Sequence, residues 1–185
     1  MTRGKQRQRS ATSPGRSAAG AGTDELVVEV VDRQRRVKLG RPWLVRLVRQ
    51  ALRAEKVTAA EVTVLLVDDR RIACYHDEWM GDPTPTDVIT FDLSDDPAGM
   101  PGGDGTLRGD IVVSTETAVR LAAEVGWSPR LETAYYVLHG ILHLTGHDDL
   151  APGPRRAMRR RERTLLESLG LPAPPRPRVT GGGKP

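Results

Sequence analysis

The chain has 185 residues, a mass of 20.2 kDa, a formal net charge of +4 and one cysteine, Cys74. That length suits one domain with tails, and a lone cysteine excludes an internal disulfide framework. No apolar run reaches the roughly 18 residues that a membrane-spanning helix needs, so no membrane partner is expected. The basic N-terminus has no apolar stretch behind it and does not read as a secretory signal, which makes the expected location cytoplasmic. The positive charge is concentrated at the ends. Arg3, Lys5, Arg7, Arg9 and Arg16 lie in residues 1–20 without an acid, and Arg176, Arg178 and Lys184 follow residue 171. The stretch between is net negative, so the basic balance says little about what the body binds.

Residues 1–25 lack large apolar groups and read as a disordered basic tail. Leu26–Val31 is β-branched and apolar, a strand. From Arg41 to Glu55, Trp43, Leu44, Leu47, Val48, Ala51 and Leu52 recur at helical spacing, with Pro42 in the first turn. Glu61–Val67 reads as a second strand, Arg70–Met80 as a short helix and Thr86–Leu93 as a third strand. Asp95–Thr106 is a Gly/Pro/Asp-rich loop, and Leu107–Val113 is a fourth strand. Ser114 is placed to cap a helix running to about Val125. Pro129 opens a helix through Thr145 that Gly146 ends, and a last helix spans Gly153–Leu169, closed by Gly170. Residues 172–185 are Pro/Gly-rich and read as a second disordered tail. The expectation is α+β: one domain over residues 26–171, with a small mixed four-stranded sheet packed with helices.

Three of the four histidines fall in Leu138-His139-Gly140-Ile141-Leu142-His143-Leu144-Thr145-Gly146-His147-Asp148-Asp149. Four residues apart on a helix, His139 and His143 share one face, one turn apart, and can reach one metal ion. Just past the turn, His147 and Asp149 are both candidates for a third ligand. Zinc accepts nitrogen and carboxylate oxygen, and its catalytic sites use three protein ligands plus water. A partly buried helix with hydrogen-bonded histidines is the bland alternative. A zinc protease of the His-Glu-x-x-His type would need glutamate where Gly140 stands.

These residues resemble the signature of the YbeY family of rRNA maturation endoribonucleases, His-Gly-x-Leu-His-Leu-x-Gly-[Tyr/Phe/His]-Asp-His. Thr86-Asp87-Val88-Ile89-Thr90-Phe91 and Gly109-Asp110-Ile111-Val112-Val113-Ser114 resemble two further family segments, in order and spacing. The resemblance covers about Leu26 to Leu171. It implies a single α+β domain holding one Zn2+ per chain. It also implies cleavage of single-stranded rRNA in ribosome biogenesis, with the small ribosomal subunit and assembly factors as partners. His139 and His143 match two family metal ligands. The third falls on Asp149, aspartate here instead of histidine; His147 is the alternative.

Another departure concerns an arginine that the family carries before the Thr-Asp-Val segment, where this chain has Met80. The neighbouring asparagine slot holds His76. Methionine can neither hold a phosphate nor stabilise developing negative charge. Arg108 or Arg71 would have to reach in, and Arg108 is the candidate catalytic residue. The Met80 and Asp149 replacements also motivate an alternative, a ribosome-assembly binding protein that kept the fold without cleavage. A small-substrate metal hydrolase is a third option.

Other residues carry two readings each. Arg155, Arg156, Arg159, Arg160 and Arg163 form a basic helix face, for RNA phosphates or simply for solvent. Asp87, Asp110 and Asp148 orient site groups or close turns. Glu132 faces the site from two turns away or complements the helix dipole. Cys74, Trp43, Trp79 and Trp127 are expected in the core.

Overall fold

A computed structural model describes residues 25–94 and 105–175. The expected N-terminal tail through residue 24, most of the loop after Ser94 and the last ten residues lie outside the described residues. Four strands and five helices follow in the order β1 (Glu25–Asp32), α1 (Arg41–Ala54), β2 (Ala59–Val67), α2 (Asp69–Met80), β3 (Val88–Asp92), β4 (Leu107–Ser114), α3 (Thr115–Glu124), α4 (Pro129–Leu144) and α5 (Pro152–Ser168). The strands make one mixed sheet in the order β1-β2-β4-β3. β1, β2 and β4 run parallel, and β3 is antiparallel to β4, pairing Val88 with Val113 and Asp92 with Gly109. The α+β expectation holds.

Local chemistry explains the boundaries. Pro42 sits in the first turn of α1, where its missing N–H costs nothing. Asp68 caps α2 by accepting from the Arg71 N–H, and Ser114 caps α3 by accepting from the Thr117 N–H. Pro129 opens α4. At its other end Gly146 adopts φ 88°, a left-handed turn that disfavours any side chain.

Most of the core lies on one face of the sheet. Leu44, Val48 and Leu52 of α1, Ala118 of α3, and Ile141 and Leu142 of α4 join Val62, Val64, Ile111 and Val113 in one core, which Leu165 and Leu166 of α5 extend as that helix packs on α4 and α1. α4 is the central element, buried continuously from Glu132 to Leu142. At Gly140 it presses on the sheet so closely that an added Cβ would come within 2.7 Å of an Ile111 methyl. Glutamate at this position would collide with β4.

Among the described residues the opposite face carries only α2, over a small cluster of Val67, Ile72, Ile89 and Val112. Two core expectations fail here. Cys74 is exposed, and Trp79 is 64% exposed, with its edge against Phe91. α2 has a single fully buried residue, Ile72, because it covers only one side of a small sheet. Trp43 and Trp127 are half-buried against the main core.

Candidate metal centre

The site forms where α4 ends. One helical turn brings His139 and His143 together, with ring Nε2 atoms 3.1 Å apart. The chain then reverses through Gly146, where the His147 N–H closes the turn onto the Leu142 carbonyl. This return carries Asp149 toward the pair. Its carboxylate oxygens lie 4.0 Å from His139 Nε2 and 3.9 Å from His143 Nε2. One ligand atom from each of the three residues falls within 4.8 Å of the others. Arg155 of α5 steadies the return segment, donating from Nε to the Asp149 carbonyl at 2.8 Å.

Each imidazole is oriented through its other nitrogen. His143 Nδ1–H donates to the His147 carbonyl at 3.1 Å. A carbonyl only accepts, so His143 Nε2 of the neutral ring carries a lone pair. His139 Nδ1 lies 2.7 Å from Glu162 of α5 and donates to that carboxylate. The second Glu162 oxygen accepts from the Tyr135 hydroxyl at 2.8 Å. Burial first, then the charge of Glu162, raises the Tyr135 phenol above its ordinary pKa, which keeps it a donor. Burial, aided by neighbouring His139 and opposed by Asp149, lowers the His143 pKa and favours the neutral ring.

Two imidazole nitrogens 3.1 Å apart can share a proton or both turn their lone pairs to one metal ion. Two imidazole nitrogens and a carboxylate suit zinc, and a carboxylate behind one histidine fixes its tautomer and strengthens its basicity. The donor set therefore fits a metal ion. His139 is nearly buried, whereas His143 and Asp149 are partly open to solvent.

The other nominated residues go elsewhere. His147 turns to Glu55 at the end of α1, with Nε2 to Oε2 3.4 Å. Arg161 holds the same carboxylate through Nε at 2.7 Å. Asp148 accepts from the Leu150 N–H, closing a local turn. Asp87 accepts from the Val88 N–H and the Thr86 hydroxyl, also locally. Glu132 is fully buried in the first turn of α4. Arg108 and Asp110 alternate along β4 with Gly109 and Ile111, which face α4. Both therefore point to the opposite side of the sheet, where Arg108 lies 3.6 Å from Glu61 on the neighbouring strand. Arg71 donates to Asp68 and to the Arg33 carbonyl. Arg108 thus lies across the sheet from α4, and Arg71 is engaged at the start of α2.

Sequence reading missed Glu162 and Tyr135. The signal was present: Glu162 interrupts the buried stripe of α5 formed by Met158, Leu165 and Leu166. An acid in an apolar stripe needs a buried partner.

Fold and site together define a small α+β protein whose central buried helix presents a His-x-x-x-His pair, joined after a glycine turn by a carboxylate. A family model described as Endoribonuclease YbeY matches residues 29–170, and the chain belongs to that family. It is 36% identical over 129 residues to Endoribonuclease YbeY of Pelotomaculum thermopropionicum, covering 69% of this chain and 85% of that one. Against the protein of the same name from Moorella thermoacetica it is 41% identical over 132 residues, covering 68% and 84%. With an Anaeromyxobacter relative, identity is 42% over 112 residues, covering 60% of this chain. The matched stretch spans only 56% of that relative's length. The solution structure of TM1509 from Thermotoga maritima shares the fold, with a TM-score of 0.52 at 22% identity over 78% of this chain and 92% of that one.

Proposed function

We propose that this chain is a zinc-dependent endoribonuclease that cuts single-stranded rRNA during small-subunit maturation in the cytoplasm. The observation that carries the reading is the convergence of His139 Nε2, His143 Nε2 and the Asp149 carboxylate at a partly open surface. The name Endoribonuclease YbeY of its relatives supports the substrate class.

When bound, the ion would polarise a phosphoryl oxygen and acidify a water. His139, His143 and Asp149 would hold it. Glu162 fixes the His139 ring so that Nε2 faces outward, and Tyr135 keeps Glu162 in place. The His147 carbonyl does the same for His143. An aspartate in third position makes the site less positive than three neutral histidines would, which weakens the acidification of a bound water. The partial exposure of His143 and Asp149 leaves room for a polymer to approach from one side. The small ribosomal subunit and its assembly factors are the proposed partners. Among the described residues no helix is long and apolar enough to cross a membrane.

The test is zinc content by elemental mass spectrometry on the protein and on Asp149→Ala, followed by cleavage of a single-stranded rRNA fragment. The expected result is about one zinc per chain, lost in the variant, with cleavage that tracks the metal. Zinc retained by Asp149→Ala would return the third position to His147. A zinc-loaded chain that leaves the strand intact would overturn the nuclease reading. It would favour the non-cleaving assembly protein, a second reading supported by Met80, an exposed thioether where the family resemblance implies an arginine.

A further inference from the structure

His147 stands two residues before Asp149 on the segment that returns past Gly146, and an imidazole serves zinc as well as a carboxylate does. Its backbone is already at the site. The His147 N–H donates to the Leu142 carbonyl at 2.9 Å, and the His147 carbonyl accepts from His143 Nδ1 at 3.1 Å. With both backbone groups engaged, only the side-chain rotamer is left to choose. That rotamer turns the ring to Glu55, the residue that ends α1, with Nε2 3.4 Å from Oε2. The ligand atoms that gather at the centre belong to His139, His143 and Asp149.

Glu55 does not depend on His147 for its place. Its side chain is only 7% exposed, and Arg161 of α5 donates from Nε to its other oxygen at 2.7 Å. The same guanidinium donates to the Ala54 carbonyl at 2.8 Å, so both groups are fixed. A carboxylate held by a guanidinium only accepts, and His147 Nε2 therefore meets it as an N–H. A ring nitrogen that carries a proton has no lone pair for a metal. Turning the ring away would also strip a donor from a nearly buried oxygen, which is unfavourable. Arg161 and Glu162 are consecutive in α5. One fixes Glu55 behind His147, and the other meets His139 Nδ1 at 2.7 Å.

We propose that Glu55 is a positioning residue of the metal centre: locked by Arg161, it holds the His147 ring out of the site and leaves the third ligand place to Asp149. This rests on the zinc reading of the His139–His143–Asp149 group. The consequence is electrostatic. Two imidazoles and a carboxylate leave a Zn2+ centre with one positive charge, where three neutral imidazoles would leave it with two. The lower charge acidifies a bound water less. Two residues distant in sequence, Glu55 and Arg161, thereby set the charge of the site.

The test measures zinc affinity by chelator competition on the full chain, with folding followed by urea unfolding. Asp149→Ala is expected to lose its zinc. Adding Glu55→Ala should free His147 and restore binding about 10- to 100-fold over Asp149→Ala alone. Adding His147→Ala as well should abolish the regain. X-ray absorption at the zinc edge should count two imidazoles in the parent and three in Asp149→Ala/Glu55→Ala. The sign of the change separates positioning from bracing, because a Glu55 that only braced the fold would weaken binding when removed. Glu55→Gln keeps the volume and an oxygen for Arg161, and should give a smaller regain in the same direction should Glu55→Ala fail to fold. No regain in a folded double variant, or a regain that persists without His147, overturns the inference and leaves the zinc reading intact. Zinc kept undiminished by Asp149→Ala overturns it too, because the third place then does not belong to Asp149. A parent that binds no zinc overturns the zinc reading and this inference with it.

Discussion

α1, α3 and α4 pack on one face of the sheet, with α5 lying on α4 and α1, whereas among the described residues α2 alone covers the other face. On the first face His139 is wedged into the core, with Tyr135 and Glu162 fixing its ring. On the second, Val27, Trp79 and Met80 are each more than half exposed. The sequence nominates groups on both faces: His139, His143 and Asp149 on one, Arg108 and Asp110 on the other. Only the packed face brings its nominees to a common point. A ligand group must be held within about 0.5 Å, and only neighbours that immobilise side chains achieve that.

Five substitutions sharpen or break this contrast. Ile141→Ala, on the buried face of α4, is expected to cost roughly 2–5 kcal/mol in urea unfolding, while Val27→Ala on the open face stays within about 0.5 kcal/mol. A comparable cost at Val27 would mean that the second face is covered in solution. Glu162→Gln removes the negative charge behind His139 and one of the two oxygens that accept from His139 and Tyr135, and should weaken zinc binding about 10- to 100-fold in chelator competition. Unaltered affinity would show that His139 does not depend on α5 for its orientation.

Asp69 ties the two sides together at the start of α2. Its carboxylate accepts from the Ser114 hydroxyl, from the Thr117 hydroxyl at 2.7 Å and from Arg120 at 3.3 Å. Burial works against its charge, yet these hydrogen bonds and Arg120 hold its pKa below the usual carboxylate range. A depressed folded pKa gives stability that is present above the unfolded value near 3.9 and lost as pH falls through the folded one. Acid unfolding of Asp69→Asn should therefore show a shallower loss of stability below about pH 4 than the parent. Equal slopes would remove Asp69 as the tie. The smallest effect is expected for Arg108→Gln. Its partly exposed pair with Glu61 is worth less than about 1 kcal/mol, and its side chain faces away from α4. Zinc content and RNA cleavage should be nearly unchanged, and a sharp fall in cleavage would restore Arg108 as a catalytic residue.

Much of this was legible from local pattern. The helical spacing of Leu44, Leu47, Val48, Ala51 and Leu52, the caps at Ser114 and Pro129 and the stop at Gly146 mark elements whose observed ends differ by only a few residues. Such signals are legible because each is set within one or two turns of chain. The His139–His143 pair belongs to the same class, since a four-residue spacing on a helix is itself a geometry. Exposure was less legible. Cys74 and Trp79 have residue types suited to a core, but α2 had too little sheet beneath it to bury them.

The sequence by itself determined the α+β element order, the position of the histidine pair and the glycine turn that follows it. The tertiary structure decided which side of the sheet each strand residue faces, and so sent Arg108 away from α4. Packing of α5 on α4 brought Glu162 to His139 across 23 residues, and the end of α1 drew His147 to Glu55 across 92. Those pairings depend on how helices cross a shared sheet, and periodicity within a single element carries no record of its neighbours.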